Sequence, residues 1–341
     1  MGSQVEVMAW GGDGERCIAT AVAEVERFEQ CWSRFRADSE LSLLNASAGA
    51  PFTCSFLLWE AISRAASAWH ETNGLFDPTV LPSLRAIGYD VTFRQIVADP
   101  EEDEPAAEAP VGGRLDVPFG GRPAASASEH LEVPAPIGFG FVELDPANRR
   151  VVLPPGAAID LGGVGKGLTA DLLIGHLNAC GATSVLVSAG GDLRVSGPGP
   201  DEDDAWMIDI ENPIDGSVLL RFPLVDEALV QSTTKFRAWR RGGRLVHHLI
   251  DPRTGWPSTS GIASVIVTGR QAWRAEAVAK AALIAGEADG LDLLARTGHD
   301  GWLLRDDGSI APTATVAGDL PWAATVAGEL PWAATEGTDA R

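Results

Sequence analysis

Four glycines and a lysine lie within Asp160-Leu161-Gly162-Gly163-Val164-Gly165-Lys166-Gly167, a run that continues to Asp171. Such a run can approach an anion closely, because glycine lets the backbone come near and a helix N-terminus attracts negative charge. Lys166 adds a point charge. The run is not a P-loop: Asp160 stands where the first glycine would, and Gly167 replaces the Ser or Thr after the lysine. Phosphate binding and a plain strand-to-helix turn both remain open for it.

Three further segments bear chemistry-capable residues. In His247-His248-Leu249-Ile250-Asp251-Pro252-Arg253-Thr254-Gly255, Asp251 can cap a tight turn, or His248 and Asp251 can act as a base and its orienter. Phe76-Asp77-Pro78-Thr79-Val80 reads as a turn starter. Glu276 and Lys280 are spaced i, i+4, the arrangement of an ordinary helix salt bridge.

Helical periodicity marks Asp13–Arg36, through Ile18, Ala21, Val22, Val25, Phe28 and Trp32, and Phe56–Glu71. Leu168, Leu172, Leu173 and Leu177 make the apolar face of a helix over Gly165–Ala179, and further helices are expected at Ala272–Ala285 and Gly290–Arg296. Short strands are expected at Phe139–Asp145, Val151–Leu153, Ser184–Ser188, Leu193–Ser196, Trp206–Ile210, Val218–Leu224, Ala228–Ser232, Leu245–Ile250 and Ile262–Thr268. A closing hairpin spans Trp302–Ala311 across Asp307-Gly308. Strands and helices mix without strict βαβ alternation, which predicts an α+β fold. Residues 99–136 turn acidic and rich in Ala, Pro and Gly, the signature of a mobile surface insertion within a domain spanning 1–311. A flexible tail over 312–341 holds a duplicated ten-residue unit with Trp322 and Trp332, either a recent duplication or a docking peptide.

The chain has 341 residues and a formal net charge of −21, which argues against nucleic acid and anionic membranes as partners. Cys17, Cys31, Cys54 and Cys180 form no CxxC pair and no zinc pattern, so they read as isolated reduced thiols. Met1–Trp10 shows no signal-peptide pattern, and no apolar run is long enough to span a bilayer. The expectation is a cytoplasmic protein, or an extracytoplasmic one whose leader has been removed.

Taken in order, these segments resemble the ApbE-type FAD:protein FMN transferases. Ser33-Arg34-Phe35 through Asp38-Ser39-Glu40 to Asn45 is similar to that family's SRF-x-x-DSE-x-S-x-x-N segment. Gly74–Val80 matches G-x-FDPTV, Asp160–Asp171 matches D-x-G-x-x-GKG-x-x-x-D, Ser188–Asp192 matches S-x-GGD, and His248–Gly255 matches H-x-IDP-x-TG. The resemblance implies a T-fold-like domain of mixed sheets with packed helices, binding FAD in a cleft. It implies a Mg2+-dependent reaction that splits the FAD pyrophosphate, attaches FMN to a Ser or Thr hydroxyl of an acceptor protein and releases AMP. Simple FAD hydrolysis to FMN and AMP, or flavin binding with little turnover, are the alternatives. Carried over by position, Met8, Ser39, Asn45, Phe76, Asp77, Asp160, Lys166 and Ile250 would contact flavin or adenine. His248 and Asp251 would move the acceptor's proton. Gly163, through its carbonyl, Glu276 and the position of Lys280 would hold the metal. The last match departs from the family pattern, because Glu stands for Asp and Lys280 for Thr. An ammonium beside Mg2+ is repulsive. Lys280 would therefore substitute for the metal's charge, mark a member with weak turnover, or pair with Glu276 until metal arrives.

Overall fold

The computed structural model describes residues 3–96, 131–200 and 204–316. Most of the acidic insertion and almost all of the duplicated tail lie outside the described residues.

The largest sheet has seven strands, each antiparallel to its neighbours. Its strands in chain order are β1 (Val5–Trp10), β5 (Ser184–Ala189), β6 (Asp192–Ser196), β9 (Ala228–Thr233), β12 (Ile262–Gly269), β13 (Asp300–Arg305) and β14 (Ile310–Pro312), and they lie side by side in that order. Both faces are covered, so the central strands read as nearly continuous apolar runs. Period two still sorts them: Val265 and Val267 enter one core and Ile266 the other.

The first core lies under helices α1 (Gly14–Trp32), α3 (Phe56–Glu71), α5 (Gly165–Ala179), α6 (Ala272–Ala285) and α7 (Glu287–Thr297). The second lies under a hairpin of β7 (Trp206–Glu211) and β8 (Val218–Leu224), whose Trp206, Ile210, Leu220 and Leu224 meet Trp302 and Leu229. Short helices α2 (Glu40–Ala46) and α4 (Leu81–Ala86) flank the first layer. A small sheet of β2 (Pro51–Thr53), β3 (Glu143–Asp145) and β4 (Arg150–Val152) sits apart, as does a ladder of β10 (Ala238–Arg241) and β11 (Arg244–His247). This is an α+β architecture of antiparallel, mostly small sheets with packed helices.

Two expectations shift. Helix α1 stops at Trp32, and Ser33 turns the chain as an extended C-cap. Its Ile18 and Val22 are exposed, while Cys17, Ala21, Phe28, Cys31 and Trp32 are buried. The buried stripe is therefore rotated, placing small Cys17 and Ala21 inward where α1 packs on α5. Phe139–Phe141 is a 3-10 turn rather than strand, entered through Gly138 at φ 96°. Among the described residues no helix is long and apolar enough to cross a membrane.

Candidate functional site

The glycine–lysine run opens α5 against α6. A Cβ on Gly167 would lie 2.3 Å from the backbone carbonyl carbon of Ala272, so only glycine allows this approach. Asp171, one turn on, accepts the N–H groups of Ala272 (3.0 Å) and Trp273 (3.1 Å) and caps the start of α6. The segment before α5 is held by Asn45, whose amide donates to the Ile159 carbonyl (2.9 Å) and accepts the Ile159 N–H (2.8 Å). Gly163 makes room for the Phe76 ring, which would sit 2.3 Å from a Cβ there.

Because α5 and α6 touch at Gly167, four charged side chains converge. Glu276, fully buried, accepts the Gly167 N–H through Oε2 (2.9 Å). Its Oε1 lies 2.9 Å from the Nζ of both Lys166 and Lys280. Lys166 also pairs with buried Asp192, which the Gly190-Gly191 turn delivers at the start of β6. Burial would raise the Glu276 carboxyl, but Lys166 and Lys280 outweigh it and hold the group ionised. Burial pulls the Lys166 ammonium down, and Glu276 offsets part of that.

A cleft opens above this cluster. It is lined by Phe76, Asp77, Asp160, Gly163, Lys166, His248, Ile250 and Lys280 among the residues expected from the sequence. Asp77 is nearly buried, and its carboxylate accepts from Thr79 N–H (2.7 Å), Thr79 Oγ1 (2.6 Å), Trp69 Nε1 (3.2 Å) and Phe139 N–H (3.0 Å). Asp160 accepts the Gly162 N–H (2.8 Å) and faces Arg34 Nε at 3.3 Å.

His248 is half-buried, and its Nδ1 is buried without a hydrogen-bond partner. Burial first, then the Arg237 cation, holds its pKa well below the ordinary histidine value, so the ring is neutral at pH 7. Neighbouring His247 holds the Ser258 carbonyl (3.0 Å) through Nε2 and accepts the Leu249 N–H (3.3 Å) at Nδ1. It anchors the segment rather than facing the cleft.

Several expected residues fall elsewhere. Met8 is an exposed residue of β1 outside the cleft lining. Ser39 is fully buried, donates to Ser33 carbonyl (2.6 Å) and caps α2 by accepting the Ser42 N–H. Asn45 acts through Ile159, as above. Asp251 makes no hydrogen bond to His248; its carboxylate is gripped by Arg253 through Nε (2.9 Å) and Nη2 (2.7 Å). A turn-capping aspartate is what the geometry displays, since it also accepts the Arg253 N–H (2.9 Å).

Two further cations, Arg34 and Arg237, line the cleft. Arg34 is 4% exposed in its side chain, lies between the rings of Phe35 and Tyr89 at 4.1 and 4.4 Å, and donates to the Tyr89 carbonyl (2.7 Å). Its second Nη is buried and unpaired. Arg237 bonds Tyr89 Oη (3.3 Å) and Ser3 Oγ (2.9 Å). The Arg-Phe pair within the Ser33-Arg34-Phe35 match was the available signal for the first; nothing local marked the second.

The donor set does not fit the expected divalent metal. Glu276 has Oε1 shared by two ammoniums and Oε2 on a backbone N–H. Among the described residues no group of three His, Cys, Asp or Glu side chains is placed to hold a metal ion. A lysine at position 280 supplies a positive charge where a ligand would need a lone pair.

The profile of the ApbE family matches residues 1–302. An FAD:protein FMN transferase of Rhodobacter capsulatus is 28% identical over 312 residues, which is 89% of this chain and 53% of that protein. The chain thus spans about half the length of that relative. One from Treponema pallidum is 28% identical over 275 residues, covering 77% of this chain and 69% of its own. Among solved structures, an ApbE protein of Thermotoga maritima superposes with TM-score 0.74 at 23% identity, covering 92% of this chain and 94% of that one. The flavin transferase ApbE of Vibrio cholerae gives 0.71 at 20%, covering 92% and 95%. Both have the same fold, and with the family profile covering most of the sequence, this chain belongs to the ApbE family.

Proposed function

We propose that the chain transfers FMN from FAD to a Ser or Thr hydroxyl of an acceptor protein and releases AMP. The observation that carries this reading is one cleft holding the α5 N-terminus, Lys166 and Lys280 beside a neutral histidine. The lysines and the helix end supply positive charge for a dianionic pyrophosphate. The acceptor oxygen attacks the FMN phosphorus, forming a phosphoester. The bond from that phosphorus to the bridging oxygen breaks, and AMP departs with the oxygen. The hydroxyl proton passes to His248, which is free to accept it because burial keeps the ring unprotonated. In this reading the charge role expected of Mg2+ falls to Lys280.

The experiment is FAD incubation with and without a threonine-bearing acceptor protein, with AMP, FMN and protein-bound flavin separated by chromatography. AMP together with covalent FMN is the expected result. FAD left intact with every acceptor tried overturns the reading. The Glu276–Lys280 pair favours a second reading, a flavin-binding member with little turnover, which predicts bound FAD and no AMP. Free FMN and AMP without attachment would identify a pyrophosphatase instead.

A further inference from the structure

Residues 228–250 contain no Asp or Glu, although the chain has 47 acidic and 26 basic residues. The same stretch carries Lys235, Arg237, Arg240, Arg241 and Arg244. After β9, its remaining residues include the β10–β11 ladder, which belongs to no larger sheet. The turn is Gly242-Gly243 at φ 53° and 72°, the left-handed pair that a type I′ hairpin turn requires. Trp239 and Val246 face inward beside Leu84, Tyr89 and Ile250, and Trp239 Nε1 donates to the Ile87 carbonyl (2.8 Å). The open end of the ladder meets the cleft, where Arg237 precedes β10 and His248 follows β11 and both line it, while the Gly242-Gly243 turn forms the far end.

The register sets Arg241 directly opposite Arg244 and Arg240 opposite Leu245. All four side chains are exposed, Leu245 at 67%. No carboxylate among the described residues pairs with Arg240, Arg241 or Arg244; Arg244 lies over the Trp256 ring at 5.3 Å. Like charges directly opposite on a ladder are destabilising. An acidic partner segment laid against the hairpin would relieve that repulsion. The strands extend about 13 Å at roughly 3.3 Å per residue, more than one phosphate covers. Strand alternation puts Leu245 on one face beside Arg240 and the Arg241–Arg244 pair on the other, so the hairpin tip offers cations on both faces and an apolar contact on one, which suits a peptide better than a polyanion backbone. The acidic remainder of the surface repels nucleic acid and anionic membranes, and would steer an acidic segment toward this one hairpin.

We infer that the β10–β11 hairpin is the docking surface for the acceptor protein and grips an acidic segment, broken by an apolar residue, next to the hydroxyl that enters the cleft. This rests on the transferase reading above, because it identifies the partner as the acceptor.

The test uses the full chain and two fluorescein-labelled synthetic peptides. One has a threonine flanked by Asp, Glu and a Leu; the other has Lys and Arg in place of the acids. Fluorescence anisotropy should show the acidic peptide binding at low salt and weakening about tenfold or more at high salt. Arg240→Ser/Arg241→Ser/Arg244→Ser should weaken it about tenfold, with FAD binding, read by flavin fluorescence, unchanged. Arg244→Ser alone should raise Tm by relieving the opposed pair, and Arg240→Glu, at an exposed site, should weaken acidic-peptide binding with Tm unchanged, which guards against a folding defect in the triple variant. Equal binding of both peptides, or an unaffected triple variant, overturns the inference. Phosphatidylserine vesicles or single-stranded DNA binding through the same arginines more tightly than the acidic peptide also overturns it. Peptide binding without any AMP release from FAD overturns the transferase reading, and with it the peptide's identity as acceptor.

Discussion

Gly167 of α5 and Ala272 of α6 meet backbone to backbone, with room for a hydrogen but not a methyl group. That approach lets the Gly167 N–H reach Glu276 and sets the spacing of the whole charged cluster. Gly167→Ala forces the two helices apart. It should destabilise the fold by about 3 kcal/mol, measured by urea denaturation, and should weaken FAD binding in whatever protein still folds.

Lys280 decides how the site is charged. The native chain should show no saturable Mg2+ binding by calorimetry, and chelator should leave its AMP release unchanged. Lys280→Thr frees one side of Glu276 Oε1 and removes the repelling ammonium. The variant should bind Mg2+, and its AMP release should become Mg2+-dependent, changing at least tenfold with chelator. A variant that binds Mg2+ no better than wild type would refute this account of position 280.

Glu276→Gln keeps the shape and removes the charge. Two ammoniums are then left against an amide in a buried site, and losing one partner of such a group costs about 3–5 kcal/mol. Chemical denaturation should show that loss. The sequence alone suggests a surface i, i+4 pair, for which the same change would cost about 0.5 kcal/mol.

His299 gives the fold an acid-sensitive point. It is buried, its Nδ1 pairs with Thr297 Oγ1 (2.9 Å), and burial, then the Arg274 cation, pushes its pKa down to about 4. The unfolded value is about 6.5, so between these limits the unfolded chain binds more protons. His299 therefore contributes full stability above pH 6.5, and the contribution is lost as pH falls toward 4. The shift corresponds to about 3 kcal/mol. His299→Asn should flatten the decline of Tm between pH 7 and 5 relative to wild type.

Long helices were legible: α3 lies where the spacing of its apolar residues places it, and α5 and α6 have the bounds read from the sequence although they are buried nearly all round. Strand β1 was not, because four of its six residues are exposed and its identity comes from pairing with β5, nearly 180 positions away. Helices α2 and α4, of seven and six residues, are too short to show a period. In the site, Glu276 and Lys280 were legible as a pair because they are local. Lys166 joins them only through the Gly167 contact, which no local pattern encodes. Asp251 illustrates the reverse: its partner Arg253 is two residues away, and the local capping role prevails over a pairing with His248.

The four bonds to Asp77 have a thermodynamic consequence. An ionised carboxylate has about four acceptor positions, and Trp69, Phe139 and the two groups of Thr79 occupy them. Thr79 Oγ1 in turn accepts the Gly138 N–H (3.1 Å), so three distant stretches are stitched into one wall. A ligand entering beside this wall orders nothing that folding has not already ordered. This wall then contributes to the heat-capacity change of binding only through the apolar surface the ligand covers on it, without the additional decrease that accompanies a loop folding onto its ligand.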